Sequence, residues 1–183
     1  MEVKINIFYI DQDPIQAAQW MVDKHVVKMI LESAQLLSTA HRVLDGREKA
    51  GKTETGRNVK RWELYDDRDE IIYQATHINH PSAVWTRMSI ENYNWLVEHF
   101  FALIHEYNYR YGKTHKCYGE ISYKLATPPK NLESYDMTEM PSCMDEKYII
   151  SNDPIINYRN YYKVGKVSIH SWKNRTPPEW IVN

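Results

Sequence analysis

The residues best suited to chemistry lie on one stripe of a predicted helix, within the stretch DKHVVKMILESAQ from Asp23 to Gln35. Residues three and four apart share a helix face, so the polar side chains line up while the positions between them are mostly apolar. Lysine and histidine on such a line can hold a phosphate, and a glutamate there can act as a general base or stabilise a cation. The alternative interpretation of the stripe is an ordinary solvent-exposed helix face that carries a weak ion pair. The stripe consists of Lys24, His25, Lys28, Glu32 and Gln35.

A second group of polar residues is the run THINHP at 76–81. His77 and His80 are three apart, but no third ligand falls at a fitting spacing, so the sequence predicts no metal. Asn79 and His80 directly precede a predicted helix and can point hydrogen-bond donors at an anion or a base edge. Simple capping of that helix, with one buried histidine, is the alternative.

A third group interleaves rings and cations near the end of the sequence. This mixture suits a nucleic-acid strand, because rings stack on bases and cations meet phosphates. An amphipathic helix whose tyrosines are core residues is the alternative. The group comprises Tyr158, Arg159, Tyr161, Tyr162, Lys166, Trp172, Lys173 and Arg175.

Composition narrows the functional classes. The net charge of the 183 residues is −1, so any attraction to nucleic acid must come from local basic segments, such as 109–130 and the part after 157. Cys117 and Cys143 lack metal-like spacing, and the sequence has no leader pattern and no apolar run long enough for a membrane span. These features predict a cytoplasmic protein without a disulfide or membrane contact. Phosphate-binding loops, dinucleotide fingerprints and serine elbows are absent from the sequence.

Turn and capping signals predict a mainly helical single domain over residues 1–183. Asp13-Pro14 and Asp153-Pro154 are typical helix starts, and Ser89 is a typical N-cap. The predicted helices cover 15–44, 83–88, 90–111, 114–126 and 155–164, and the predicted strand covers Val3–Ile10. Residues 46–61 are predicted to be a mobile loop opened by a left-handed Gly46 cap, 62–76 a short helix or strand, and 127–152 irregular. The fold class is a compact helical bundle with at most one or two short strands.

The order of DKHVVKMILESAQLL, NHPSAVW, a long aromatic helix and YRNYYKVGK resembles the phage endonuclease V-type pyrimidine-dimer DNA glycosylases, together with uncharacterised phage and bacterial proteins grouped with them. The resemblance spans most of the chain, with residues 46–76 and 132–152 as additions. It implies a compact helical bundle that cuts the glycosidic bond of a damaged pyrimidine and then nicks the strand.

The resemblance also implies where the chemistry lies. In the family, the amine of the mature N-terminus is the nucleophile that cleaves the glycosidic bond, and a glutamate between two arginines assists it. Aromatic and basic residues near the C-terminus bind the DNA. The arginines correspond to Lys24 and Lys28, and the glutamate corresponds to His25, which leaves Glu32 as the carboxylate on the stripe. Glu2 disfavours removal of the initiator Met, so we expect the amine nucleophile to be missing or altered. The grip corresponds to Tyr158, Arg159, Tyr161, Tyr162 and Lys166.

These observations favour a monomeric, cofactor-free DNA glycosylase-like enzyme that acts on a damaged or modified pyrimidine in an infected or host bacterium. Glu32, helped by His25, would orient a water, while Asn79 or His80 contacts the base and Lys24 is a candidate amine. A phage DNA hypermodification transferase on the same scaffold is one alternative. A non-catalytic binder of modified DNA, a nucleotide or a host defence protein is another.

Overall fold

The computed structural model describes residues 5–182 and contains two long helices that pack on each other. Helices make up 51% of the chain, and the described residues form one two-stranded sheet, which confirms the prediction of a mainly helical fold. The α-helices are α1 (Pro14–Trp20), α2 (Asp23–Asp45), α3 (Arg68–Ile71), α4 (Pro81–Thr86), α5 (Ile90–Tyr111), α6 (Glu120–Leu125), α7 (Pro154–Asn160) and α8 (Glu179–Val182). The strands are β1 (Arg47–Lys52) and β2 (Asn58–Glu63).

The predicted helix starts are confirmed at atomic detail. The Asp13 carboxylate accepts a hydrogen bond from the Ile15 N–H, and Asp153 repeats the arrangement at the start of α7. The Ser89 hydroxyl accepts from the Asn92 N–H, and α5 ends where Gly112 adopts a φ of 63°. A left-handed residue after the last turn is tolerated best by glycine, which explains why α5 ends there.

The predicted continuous helix over 15–44 is wrong, because Met21 and Val22 are extended and separate α1 from α2. Arg110 from α5 fills the break, and its fully buried guanidinium donates to the Met21 and Gln19 carbonyls and to the Asp23 carboxylate. Carbonyls released at a helix end need such donors. The break is therefore stabilised from a distant part of the sequence.

The predicted mobile loop at 46–61 is wrong, because these residues form a β-hairpin. Strands β1 and β2 pair antiparallel from Arg47↔Glu63 to Lys52↔Asn58. Cross-strand ion pairs join Lys49 to Glu63 at 2.6 Å and Lys60 to Glu48 at 2.9 Å. Gly46, with a φ of −91°, is not a left-handed cap and leads the chain from α2 into β1.

Arg42 on α2 anchors the residues that follow the hairpin. Its side chain is fully buried, and its guanidinium donates to the Asp69 carboxylate at 2.7 Å. It also donates to the carbonyls of Trp62, Asp69, Ile72 and Tyr73. Residues 62–76 thus contain the end of β2 and the short helix α3, fixed against α2.

Three other segments differ from expectation. The predicted strand is wrong for residues 5–10, which are buried but join no sheet, while Val3 and Lys4 lie outside the described residues. The predicted helix 114–126 is reduced to α6, and the predicted helix 155–164 is α7 followed by the π-helical turn Tyr161–Gly165. Short 3-10 turns occur at Glu146–Tyr148 and Val167–Ile169.

The described helices include none long and apolar enough to cross a membrane. Cys117 and Cys143 are both free thiols.

Candidate functional site

The N-terminal segment (residues 5–10) is tied to α2 and to the C-terminal part of the chain by Asn6. The Asn6 backbone N–H donates to Glu32 Oε2 at 2.9 Å, and its Nδ2 donates to the Cys143 carbonyl at 2.8 Å. Its Oδ1 accepts hydrogen bonds from the Ile7 N–H, the Phe8 N–H and the Tyr158 hydroxyl. The Asn6 side chain therefore provides hydrogen-bond partners for backbone groups of a buried segment that pairs with no neighbouring strand.

Replacing Asn6 with Ala should lower the free energy of unfolding by about 2–4 kcal/mol, because it leaves several buried groups without partners. Urea unfolding at pH 8 measures the loss. Asn152→Ala is the control, since Asn152 is exposed. Equal stability of the two variants would show that the Asn6 side chain does not hold the segment.

Glu32 is a nearly buried carboxylate, with 6% of its surface exposed. Its Oε1 lies 3.1 Å from Lys28 Nζ, and its Oε2 accepts from the Asn6 N–H. The Lys28 side chain is 51% exposed, so one end of the pair reaches solvent while the other lies inside. At Glu32 the stripe is therefore not an ordinary solvent-exposed helix face. Two partners hold the carboxylate in one orientation.

His25 lies one turn before Lys28 and is also nearly buried. Its Nδ1 is 2.5 Å from the Tyr162 hydroxyl. We assign the hydroxyl as donor and Nδ1 as acceptor, because a neutral imidazole keeps one ring nitrogen unprotonated and able to accept. The pKa of His25 is lowered to about 3, by burial first and then by the charges of Lys166 and Lys28. The imidazole is neutral at pH 7, with its ring proton on Nε2, where it can donate a hydrogen bond.

Phe8 forms the centre of a cluster of rings beside His25. The two ring centroids are 4.1 Å apart and stacked, and Phe8 also stacks with Tyr161 at 6.0 Å. The Phe8 backbone has a φ of 59°, a left-handed conformation that is strained for a bulky residue and costs about 1–3 kcal/mol. Such strain persists only where the surroundings impose it, and it is concentrated at functional sites.

One cation, Lys166, lies directly beside this cluster. Lys166 Nζ lies 4.7 Å from the Tyr161 ring centroid and 5.6 Å from that of Phe8. Lys24 is exposed at the start of α2, and Gln35 is half-buried one turn after Glu32. The structure thus brings the predicted stripe together with rings and a cation from the C-terminal group.

The NHPS segment is connected to the same region through Cys143. His80 caps α4 by accepting the Ser82 N–H at Nδ1, and the Ser82 hydroxyl contacts the Cys143 sulfur at 3.4 Å. Asn79 is exposed just before the cap. Among the described residues, no group of His, Cys, Asp and Glu side chains is arranged to hold a metal.

Most of the C-terminal group is engaged within the fold. Tyr158 and Tyr162 are fully buried. Arg159 donates to the Ile10 carbonyl and pairs with Asp11 at 2.8 Å. The others contact α1 or α5: Trp172 donates to the Trp20 carbonyl, Lys173 Nζ lies 5.2 Å from the Tyr111 ring centroid, and Arg175 pairs with Glu106. These contacts account for the side chains without DNA, whereas Tyr161 and Lys166 lie beside Phe8.

A cleft of about 310 Å³ lies away from these residues, against the hairpin. Three of its four charged lining residues are already paired, because Glu63 pairs with Lys49 and Asp69 pairs with Arg42. The chemistry of the side chains therefore points to the Glu32 region rather than to this cleft. The cleft is lined by Lys49, Arg61, Trp62, Glu63, Asp69 and Gln74.

Sequence reasoning did not find Asn6, Phe8 or the His25–Tyr162 pair. Asn6 and Phe8 stand within an apparent strand, where nothing in the local pattern marks a hub or a left-handed backbone. The pairing of His25 with Tyr162 spans 137 residues and has no sequence signal. The N-terminus, where the amine nucleophile of the resembling family is expected to be missing or altered, lies outside the described residues.

The chain matches no family model, no curated protein and no solved structure.

Proposed function

We propose that this protein cleaves the N-glycosidic bond of a damaged or modified pyrimidine in DNA. The observation that carries the proposal is the Glu32 carboxylate, which is nearly buried, fixed by Lys28 and the Asn6 N–H, and linked through Asn6 to a strained ring cluster. A fixed carboxylate at low exposure suits stabilisation of an oxocarbenium-like sugar. The proposal includes a monomeric helical bundle that works in the bacterial cytoplasm without a cofactor.

The proposed reaction uses water as the nucleophile. Glu32 accepts a proton from the water while the water oxygen forms a bond to the sugar C1′. The C1′–N bond breaks, and its electron pair passes to the base. The departing base takes up a proton from solvent. Neutral His25 donates a hydrogen bond rather than a proton, because burial keeps its pKa far below 7.

Rings and cations are assigned to binding the extruded nucleotide. Tyr161 and Phe8 offer stacking surfaces, and Lys28 and Lys166 offer positive charge to phosphates. Glu32 and Phe8 are both nearly buried, so the proposal requires side chains that contact them, such as Lys28, Tyr161 and Lys166, to move when the base enters. Asn79 and His80 are assigned to the base or its backbone, at the start of α4.

End-labelled duplex and single-stranded DNA carrying ultraviolet dimers, uracil or modified pyrimidines tests the reaction. We expect abasic product, revealed by alkali cleavage, and no protein–DNA adduct when borohydride is present. A trapped adduct would contradict the water mechanism and indicate an amine, with Lys24 the first to mutate. Product that appears only with an added small-molecule substrate would instead support a base-modifying transferase.

A non-catalytic binder is the second candidate, favoured by the ion pair that already engages Glu32. A carboxylate in an ion pair can be purely structural, and the rings and lysines alone could hold modified DNA or a nucleotide. This candidate predicts that Glu32→Gln leaves DNA affinity unchanged and that no base is released from any substrate. The glycosylase proposal predicts base release that depends on Glu32.

A further inference from the structure

Arg87, directly after α4, has a guanidinium without a counter-ion among residues 5–182. Its Nη1 is buried and has no hydrogen-bond partner among the described residues, and burial alone lowers its pKa. Other arginines behave differently, since five that are half-buried or buried lie 2.6–2.9 Å from a carboxylate oxygen. They are Arg42, Arg68, Arg110, Arg159 and Arg175.

An unpaired guanidinium is expensive to remove from water, because its charge and donors lose their solvent partners. Among the described residues, Arg87 and the half-buried Arg61 have no ion pair, but only Arg87 has a buried guanidinium nitrogen without a hydrogen-bond partner. The neighbouring backbone does not need the side chain either, since the Arg87 and Met88 N–H groups donate to the Val84 and Trp85 carbonyls. A bound anion from outside the chain would supply the missing charge and hydrogen-bond acceptor.

The position of Arg87 connects it to the Glu32 region. It follows the same helix that carries Ser82, whose hydroxyl contacts Cys143, and Asn6 holds both the Cys143 carbonyl and Glu32. Arg87 is five residues after Ser82, a helical rise of roughly 7.5 Å.

We infer that Arg87 binds a phosphoryl group, with its guanidinium donating to the anionic oxygens. The planar fork of arginine matches phosphate geometry, which is why arginine is preferred where a phosphate must be oriented. The inference deepens the proposed function and rests on it for the identity of the ligand. That ligand is a phosphodiester of the DNA strand whose nucleotide reaches Glu32. A phosphate on a free nucleotide is the other source of the same chemistry.

The first experiment uses inorganic phosphate and no DNA. The melting temperature is measured in phosphate and in chloride at equal ionic strength for wild type, R87M and R57M, the last removing an exposed arginine in the hairpin turn. We expect phosphate to raise the melting temperature of wild type and R57M more than that of R87M. Phosphate also stabilises proteins generally, so the excess over R87M is the specific part.

In chloride, R87M should melt above wild type, because it removes a half-buried cation that lacks a partner. A lower melting temperature for both R87M and R87Q, or an equal phosphate effect in wild type and R87M, would overturn the inference. These melting temperatures do not depend on base release. They therefore distinguish a failure of the phosphate-binding inference from a failure of the glycosylase proposal.

The second experiment identifies the source of the phosphate. If Arg87 holds a DNA phosphodiester, R87M should reduce the dependence of DNA affinity on salt by about one counterion, whereas affinity for a nucleoside monophosphate falls no more than that for inorganic phosphate. If the source is a free nucleotide, R87M weakens the monophosphate and leaves the salt dependence unchanged. No change in either affinity would overturn the inference.

Discussion

Lowering the pH from 8 to 5 should remove about 6 kcal/mol of folding free energy, which is comparable to the whole stability of many domains. The cause is three buried histidines. Burial is the largest influence on each, and it lowers the pKa of His25 to about 3 and those of His41 and His99 to about 4. Charges from Lys166 and Lys28 add to the effect at His25, and Arg68 adds to it at His41.

The direction follows from proton binding in the two states. In the unfolded chain each histidine takes up a proton near pH 6.5, whereas in the folded protein it does so only near pH 4 or below. The unfolded state therefore binds more protons throughout this window, and stability falls as the pH falls. At pH 5 each histidine contributes about 2 kcal/mol of the loss.

Carboxylates act in a separate pH range. The pKa of Asp66 is lowered mainly by a hydrogen bond from Arg68, and that of Asp69 mainly by the Leu64 N–H. Stability from a carboxyl with a lowered pKa is present above its unfolded value and is lost only as the pH falls below about 4. Loss of stability between pH 8 and pH 5 is therefore assigned to the histidines.

Urea unfolding at several pH values from 8 to 5 measures the loss. His99 is the cleanest position to test, because its Nδ1 donates to the Pro14 carbonyl while its buried Nε2 has no partner among the described residues. The variant H99N keeps an amide donor near Nδ1 and cannot titrate, so its pH dependence should be smaller by about one third. H105N, at an exposed position of α5, is the control. A flat stability from pH 8 to pH 5, or an unchanged slope in H99N, would contradict the assignment.

Glu32→Gln should reduce base release at least about a hundredfold while leaving the fold intact. Glutamine can still accept the Asn6 N–H, but it cannot take a proton from water or oppose a developing positive charge. Its effect on stability should be small, because the lost ion pair is made with the half-exposed Lys28. Single-turnover base release, together with a melting curve, separates the two effects.

Glu98→Gln is the matched control, since Glu98 is an exposed glutamate on α5. Its rate of base release should equal that of the wild type. Full activity in Glu32→Gln would remove this carboxylate from the mechanism. A Glu32→Gln variant that unfolds would show instead that the buried carboxylate is mainly structural.

The sequence was most informative where local chemistry decides the structure. The ends of α5 follow from Ser89 and Gly112, and the starts of α1 and α7 follow from Asp-Pro pairs, because caps satisfy backbone groups within a few residues. The stripe on α2 was also predictable, since helical spacing alone puts His25, Lys28 and Glu32 on one face.

The hairpin and the break between α1 and α2 depend on distant residues. Strands β1 and β2 are mostly polar, and their few apolar residues, such as Val59 and Trp62, do not alternate with polar ones along the strand. Their cross-strand ion pairs are visible only after pairing. The break at Met21 depends on Arg110, which is 89 residues away. No window of local sequence contains both partners.

The candidate site was predicted in part. The side chains on α2 came from spacing, and Tyr161 and Lys166 came from the mixture of rings and cations. Asn6 was missed because its role depends on contacts with α2 and with residues near Cys143. The neutral state of His25 also could not be read from sequence, since it results from burial in the assembled fold.

The most direct test of the central claim compares two abasic-site analogues in DNA, one with a cationic pyrrolidine ring and one with a neutral tetrahydrofuran ring. The target base is absent from both, so the test does not require its identity. An enzyme that stabilises a sugar cation binds the cationic analogue more tightly, as expected for resemblance to a transition state. We predict a preference of at least about tenfold in wild type and Glu98→Gln, and its disappearance in Glu32→Gln. Equal affinity of the wild type for both analogues would contradict the account.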